Sequence, residues 1–180
     1  MILNYKQCIE KYGSDYMLKK EIAEGNIYKI EKGLYSFKEN CSELECISAK
    51  YPKAVFTGES AFYYHGLTDV IPDYYHLATI RTDSRIKDER IKQVYIKKDI
   101  FYMGKIIMPY NNKEICIYNL ERMLIELVRF RGKMSFDYYK EIVSNYRNRV
   151  YAMDFAKLEE YADKFKYSDK IMEIIEREVL

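Results

Sequence analysis

Tryptophan is absent, and cysteine, histidine, proline and glycine are scarce: four, two, three and seven among 180 residues. Each scarcity excludes something. Cys8, Cys41, Cys46 and Cys116 are too few and too unevenly spaced for a disulfide framework. No second close Cys/His pair joins Cys41 and Cys46 to complete a zinc tetrad. They read as free, mostly buried thiols. The glycines are scattered, so there is no Gly-rich phosphate loop, and Gly58-Glu59-Ser60-Ala61-Phe62 lacks the second glycine of a hydrolase nucleophile elbow. His65 and His76 have no carboxylate cluster beside them, which makes a poor metal site. No Asp-x-Lys or Glu-x-Lys occurs, the pair a restriction-type nuclease needs to hold metal and water together. No Asp-x-Asp occurs either, the pair a nucleotidyltransferase needs for Mg²⁺. Neither catalysis nor a metal or cofactor is expected. No apolar run approaches the ~18 residues of a membrane span. The N-terminus has no basic stretch followed by an apolar one, so a cytoplasmic protein without a signal peptide is expected.

What is present is the composition of a globular domain: 48% hydrophobic and 32% charged. The length allows roughly 68–70% of the unfolded surface to be buried without staples. The net charge of +2 conceals an uneven distribution. Residues 1–38 carry +2, 39–80 carry −4, 81–133 carry +6, 134–150 carry +1 and 151–180 carry −3. A near-neutral total argues against nucleic acid as a partner only if the basic front and middle are not gathered on a surface.

The first forty residues read as a compact module. Tyr5, Cys8, Ile9 and Tyr12 recur at helical spacing, and Gly13 ends that helix. Ser14 can cap a second helix with Leu18 and Ile22 inward, stopped at Gly25-Asn26. Two β-like runs, 27–30 and 34–37, flank Glu31-Lys32-Gly33, a three-residue hairpin turn. The order helix, tight turn, helix, hairpin is that of a winged helix-turn-helix. Lys19 and Lys20 lie on the outward side of the recognition helix, with Tyr16 near its start. Lys29 and Lys32 lie on or beside the wing, in reach of phosphate oxygens.

Residues 41–180 read as an α+β domain. Residues 43–47 suggest a helix broken at Tyr51-Pro52, and residues 59–67 a short helix closed by Gly66, with His65 in a structural role in its last turn. Candidate strands lie at 76–80, 93–96, 104–108 and 114–118, with Asn111-Asn112-Lys113 as a turn, in a short mixed or antiparallel sheet. From about 119 the chain is helical. Asn119, Ser135, Asp154 and Ser168 are the expected starts of four helices forming a C-terminal bundle. Leu120, Leu124, Leu127 and Val128 make the apolar stripe of the first.

Several stretches resemble the AbiEi-type antitoxins of type IV toxin–antitoxin (abortive infection) systems. They are residues 59–72, with Tyr63-Tyr64-His65-Gly66-Leu67 at their centre, residues 117–129, with Asn119-Leu120-Glu121-Arg122, the tail Lys157-Leu158-Glu159-Glu160-Tyr161-Ala162, and the wing-like 27–35. The resemblance spans nearly the whole chain. It implies a winged helix at 1–40 that binds inverted repeats in the operon's own promoter and represses it. It also implies an antitoxin domain at 41–180 that counters a neighbouring nucleotidyltransferase-like toxin without a stable complex. The chain departs from the family in an N-terminal module shorter by one helix, and in Glu126 where relatives often carry Asp. Arg122, Arg129, Arg131 and Lys133 are the expected surface candidates of the antitoxin domain, while an ion-pair network on that helix accounts for Glu121 and Glu126. Two alternatives are an antitoxin or interaction domain with a degenerate winged helix that does not bind DNA, and a metal-dependent nuclease with an unrecognised site.

Overall fold

The computed structural model describes residues 2–180, and the chain divides into two compact units, at residues 1–53 and 54–180. The class is α+β, as expected.

The first unit opens with a strand the sequence pattern does not reveal, β1 (Ile2–Asn4). Asn4 then caps α1 (Tyr5–Tyr12) in a capping box: its carboxamide oxygen accepts from Gln7 N at 2.9 Å, and Gln7 Oε1 accepts from Asn4 N at 2.8 Å. Gly13, at φ +84°, ends α1, and Ser14 caps α2 (Asp15–Ala23). The hairpin β2 (Tyr28–Glu31) and β3 (Leu34–Ser36) follows, and β3 is the central strand of an antiparallel β1-β3-β2 sheet. Leu3, Cys8, Leu18, Ile27 and Tyr35 form the core, flanked by Ile9, Tyr12 and Ile22.

The unit runs past the expected boundary at residue 40. Ser42 and Glu45 form a second capping box that starts α3 (Glu43–Lys50), and this helix packs on β1 and β3 with Cys46 and Ile47 buried. Lys50 Nζ reaches Glu31 on β2 at 3.1 Å. A helix that follows the hairpin thus covers the sheet, and no local sequence pattern says against which unit a helix will bury its apolar face.

The second unit contains β4 (Val55–Phe56), α4 (Gly58–Tyr64), β5 (Tyr75–Ile80), β6 (Ile91–Ile96), α5 (Lys98–Phe101), β7 (Lys105–Tyr110) and β8 (Lys113–Tyr118). The sheet order is β6-β5-β4-β8-β7 and the sheet is mixed: β5/β6 and β4/β8 are parallel, β4/β5 and β7/β8 antiparallel. Asn111 and Asn112, at φ +47° and +61°, make the two-residue hairpin loop between β7 and β8. Both are in the left-handed region that a tight primed turn requires and that Asn tolerates.

Four helices complete the unit: α6 (Leu120–Phe130), α7 (Phe136–Arg147), α8 (Phe155–Ala162) and α9 (Ser168–Glu178). Asn119, Ser135 and Asp154 cap the first three as expected. Ser168 instead is the first helical residue of α9, preceded by Tyr167 at φ +67° with no side-chain cap. α6 carries more than an apolar stripe. It packs against α4, α8 and α9, and Glu121, Arg122 and Glu126 are buried along with Met123, Leu124, Ile125, Leu127 and Val128. Tyr146 on α7 is buried and donates to Leu120 O at 3.1 Å, and Tyr139 donates to Glu178 on α9 at 2.7 Å.

Candidate nucleic-acid interface

In the first unit, Tyr16 stands at the start of α2 with 76% of its surface exposed. Lys19 and Lys20 follow three and four residues later on the exposed side, so all three side chains lie within one turn. Both lysines are held by acids of their own helix region: Lys19 Nζ lies 2.7 Å from Asp15 and Lys20 Nζ 3.7 Å from Glu24. The hydrogen bond from Lys19 lowers the pKa of the Asp15 carboxyl, and the same bond raises that of Lys19. Lys29 on β2 and Lys32 in the hairpin turn are exposed, with no acid paired to either among the described residues. The ion pairs of the α2 lysines are exposed and therefore weak and screened by salt, so a phosphate can compete for them.

In the second unit the structure corrects one expected surface residue. Arg122 is fully buried. Its Nε and Nη2 donate to Glu126 Oε1 at 3.1 and 2.8 Å, and its Nη1 donates to Ile100 O at 2.9 Å. Tyr118 and Phe165 lie within 4.9 and 4.8 Å of the guanidinium carbon. The physical reason is the site's surroundings: α8 and the segment after it close over this side of α6, so the guanidinium has to find all its partners inside. Arg129 extends the network outward, donating to Glu126 Oε2 at 2.7 Å with its own side chain 32% exposed. Glu121 accepts from Asp154 N at 2.9 Å and so anchors the start of α8 to α6. Arg131 and Lys133 lie in the single 3-10 turn after α6, Arg131 half-buried and Lys133 exposed over the Phe130 ring.

The two histidines are structural in geometry. His65 Nε2 lies 2.7 Å from Tyr118 O, and Arg149 donates to the carbonyls of His65 and Gly66. Burial lowers the pKa of His65 and of His76. Ser60 and Glu59 approach His76, but the Ser60 hydroxyl accepts from His76 N at 2.8 Å and faces Tyr74 O at 3.2 Å, so it makes no contact with the imidazole that would activate it. Among the described residues no three His, Cys, Asp or Glu side chains are grouped to hold a metal.

Sequence reasoning missed a groove of about 750 Å³ at the ends of β5 and β6, between α5 and the ends of α6 and α8. Arg81, Lys97, Lys164 and Lys166 line it beside Tyr95 and Phe130, and the Arg129 side chain forms part of its wall. Two acids also line it. Asp83 accepts from Ile80 N at 3.0 Å and is committed to the turn after β5, while Asp99 lies in the first turn of α5. The +6 charge of residues 81–133 signals half of this cluster. Lys164 and Lys166 lie in the acidic tail, and only the fold brings them to the same place.

No helix among the described residues is long and apolar enough to cross a membrane. No protein-family model matches the chain, and no curated protein matches it in sequence.

Proposed function

We propose that the chain is an antitoxin and transcriptional autorepressor of a type IV toxin–antitoxin, abortive phage infection operon. Its first unit binds inverted repeats in the operon's promoter, and its second counters a nucleotidyltransferase-like toxin. The observation that carries the DNA-binding half is the order α1, tight Gly13-Ser14 turn, α2, then the β2–β3 hairpin, with Tyr16, Lys19, Lys20, Lys29 and Lys32 exposed on α2 and the hairpin. In a winged helix-turn-helix, α2 is the helix that enters the major groove and the hairpin is the wing. β1 completes the sheet, and α3 packs on it. The antitoxin half rests on the resemblance at residues 59–72, 117–129 and 157–162. Much of what those residues do is structural: His65, Tyr118, Glu121 and Arg122 hold α4, β8, α6 and α8 together.

A gel shift with the upstream region of the operon tests the reading. Binding is expected to weaken steeply as salt rises, because lysine–phosphate contacts release counterions. Lys19→Ala with Lys20→Ala is expected to lower affinity by an order of magnitude, and unchanged affinity rejects α2 as the recognition helix. Co-expression with the product of the adjacent gene is expected to restore growth.

A second reading has its own observation. Asp15 and Glu24 partly neutralise the α2 lysines, and residues 1–53 carry nine lysines against eight acids. A unit so nearly neutral suits an interaction domain with a degenerate winged helix. That reading predicts toxin neutralisation with no promoter shift.

A further inference from the structure

The groove between β6, α5 and the ends of α6 and α8 has no part in the reading above, and its chemistry is specific. Among the described residues no carboxylate forms an ion pair with Arg81, Lys97, Lys164 or Lys166. This contrasts with α2 of the first unit, whose lysines are both engaged by acids. Four cations outside any ion pair outnumber the two acids, Asp83 and Asp99, around one depression and leave it net positive. The groove is also not purely ionic: Tyr95 is 45% exposed on the edge strand β6, and Phe130 also lines the depression. An exposed aromatic ring among unpaired cations is the combination that stacks a base and holds its phosphate.

We propose that this groove binds a single strand of nucleic acid, with Arg81, Lys97, Lys164 and Lys166 on the phosphates and Tyr95 stacked on a base. A duplex presents phosphates but keeps its base faces inside the stack, so the ring of Tyr95 gains nothing from it. A volume of about 750 Å³ lies in the range of small-ligand pockets and accommodates a short stretch rather than a long track. A second depression shares Tyr95 and is lined by Arg85, Lys87 and Lys92 together with Asp88 and Glu89, so it continues the groove along β6 with only a small excess of positive charge. The inference stands on the second unit alone and goes beyond promoter binding by the first.

Fluorescence anisotropy of the full chain with labelled 12-nucleotide single-stranded RNA, the same sequence as DNA, and its duplex tests this. In the full chain carrying Lys19→Ala with Lys20→Ala, which silences the duplex site proposed for the first unit, micromolar binding of at least one single strand, at least ten-fold tighter than of the duplex, is expected. Lys97→Gln, Lys164→Gln and Lys166→Gln combined should weaken single-strand binding at least ten-fold and reduce the salt slope by about two. Tyr95→Leu should weaken it roughly five-fold or more while leaving the salt slope unchanged. These side chains are exposed, and a thermal melt of each variant matching that of the parent establishes that its fold is intact. Comparing the RNA and DNA strands identifies which one the groove prefers, and binding of either supports the inference. Equal affinity for strand and duplex in that background, or an unchanged affinity in both variants, overturns it. Failure of the promoter reading is separate: Lys19→Ala with Lys20→Ala should affect only duplex binding, and the groove variants only single-strand binding.

Discussion

Arg122 gives two guanidinium nitrogens to a single oxygen of Glu126, one helical turn away on α6, at 3.1 and 2.8 Å. The other Glu126 oxygen accepts from Arg129 at 2.7 Å. The carboxylate therefore serves two cations, and the pair is asymmetric. Removing Arg122 leaves Glu126 with Arg129. Removing the charge of Glu126 leaves a fully buried guanidinium with only the Ile100 carbonyl and two aromatic faces. Losing one partner of a buried pair costs about 3–5 kcal/mol. Glu126→Leu is expected near the upper end of that range and Arg122→Met near the lower. Arg122→Met with Glu126→Leu should cost less than the sum of the two single changes. Urea denaturation of the three variants measures this, and equal losses for the two single variants contradict the asymmetry.

Gly104 lies against the start of the same helix. It has φ +75°, and a Cβ there would stand 2.5 Å from Asn119 Oδ1 and 2.7 Å from Arg122 Cβ. Asn119 cannot give way cheaply, because its side chain caps α6 at Arg122 N and its own N–H donates to Gly104 O at 2.7 Å. Left-handed strain costs about 1–3 kcal/mol, and forcing apart a packed contact about as much again. Gly104→Ala is expected to destabilise by roughly 3 kcal/mol or more on those two grounds. Gly132 has open space around it and an ordinary φ, so Gly132→Ala should change stability by no more than about 1 kcal/mol in the same urea titration.

The histidines set a pH dependence whose sign is fixed. Burial lowers the pKa of His65 and of His76 in the folded chain. Between the folded and unfolded values the unfolded chain binds more protons, so this stabilisation is whole above about pH 6.5 and is lost as pH falls toward the folded values. The slope contributed by each histidine cannot exceed about 1.4 kcal/mol per pH unit. Melting temperatures measured between pH 7.5 and 5.5, above the range where carboxylates titrate, should fall with pH. His65→Gln keeps a donor for Tyr118 O, so it should fold and show a shallower fall, with the contribution of His76 remaining.

These sites show where the sequence is informative and where it is not. Caps and turns are local: Ser14, Asn119, Ser135 and Asp154 each bond a backbone N–H three residues on, and Asn111-Asn112 form their turn without help from elsewhere. Such features can be read directly. β1 was not legible because three residues gain strand character only by pairing with β3, thirty residues away. Arg122 looked like a surface cation because its periodicity marks the polar side of α6, and only the closure of α8 and Phe165 over that side buries it. Of the site candidates, Tyr16, Lys29 and Lys32 are exposed as read, whereas the groove was hidden because its cations come from three separated segments.

The ion pairs on α2 lead to a prediction opposite in direction to the usual loss-of-charge experiment. Asp15 holds Lys19 at 2.7 Å, and a phosphate approaching Lys19 has to displace that carboxylate and bear its repulsion. Asp15→Asn removes both obstacles and keeps a side chain of the same size. The cost to α2 is the weak, solvent-screened interaction of an acid with the helix N-terminus, which Ser14 as the cap can tolerate. Promoter affinity is expected to rise several-fold in Asp15→Asn. Lys29→Ala with Lys32→Ala should lower affinity and reduce the slope of log affinity against log salt by about 1.8, from two phosphate contacts at about 0.9 each. Gel shifts at two salt concentrations separate the possibilities. If Asp15→Asn leaves duplex affinity unchanged while the hairpin variant lowers it, the wing contacts DNA and α2 does not.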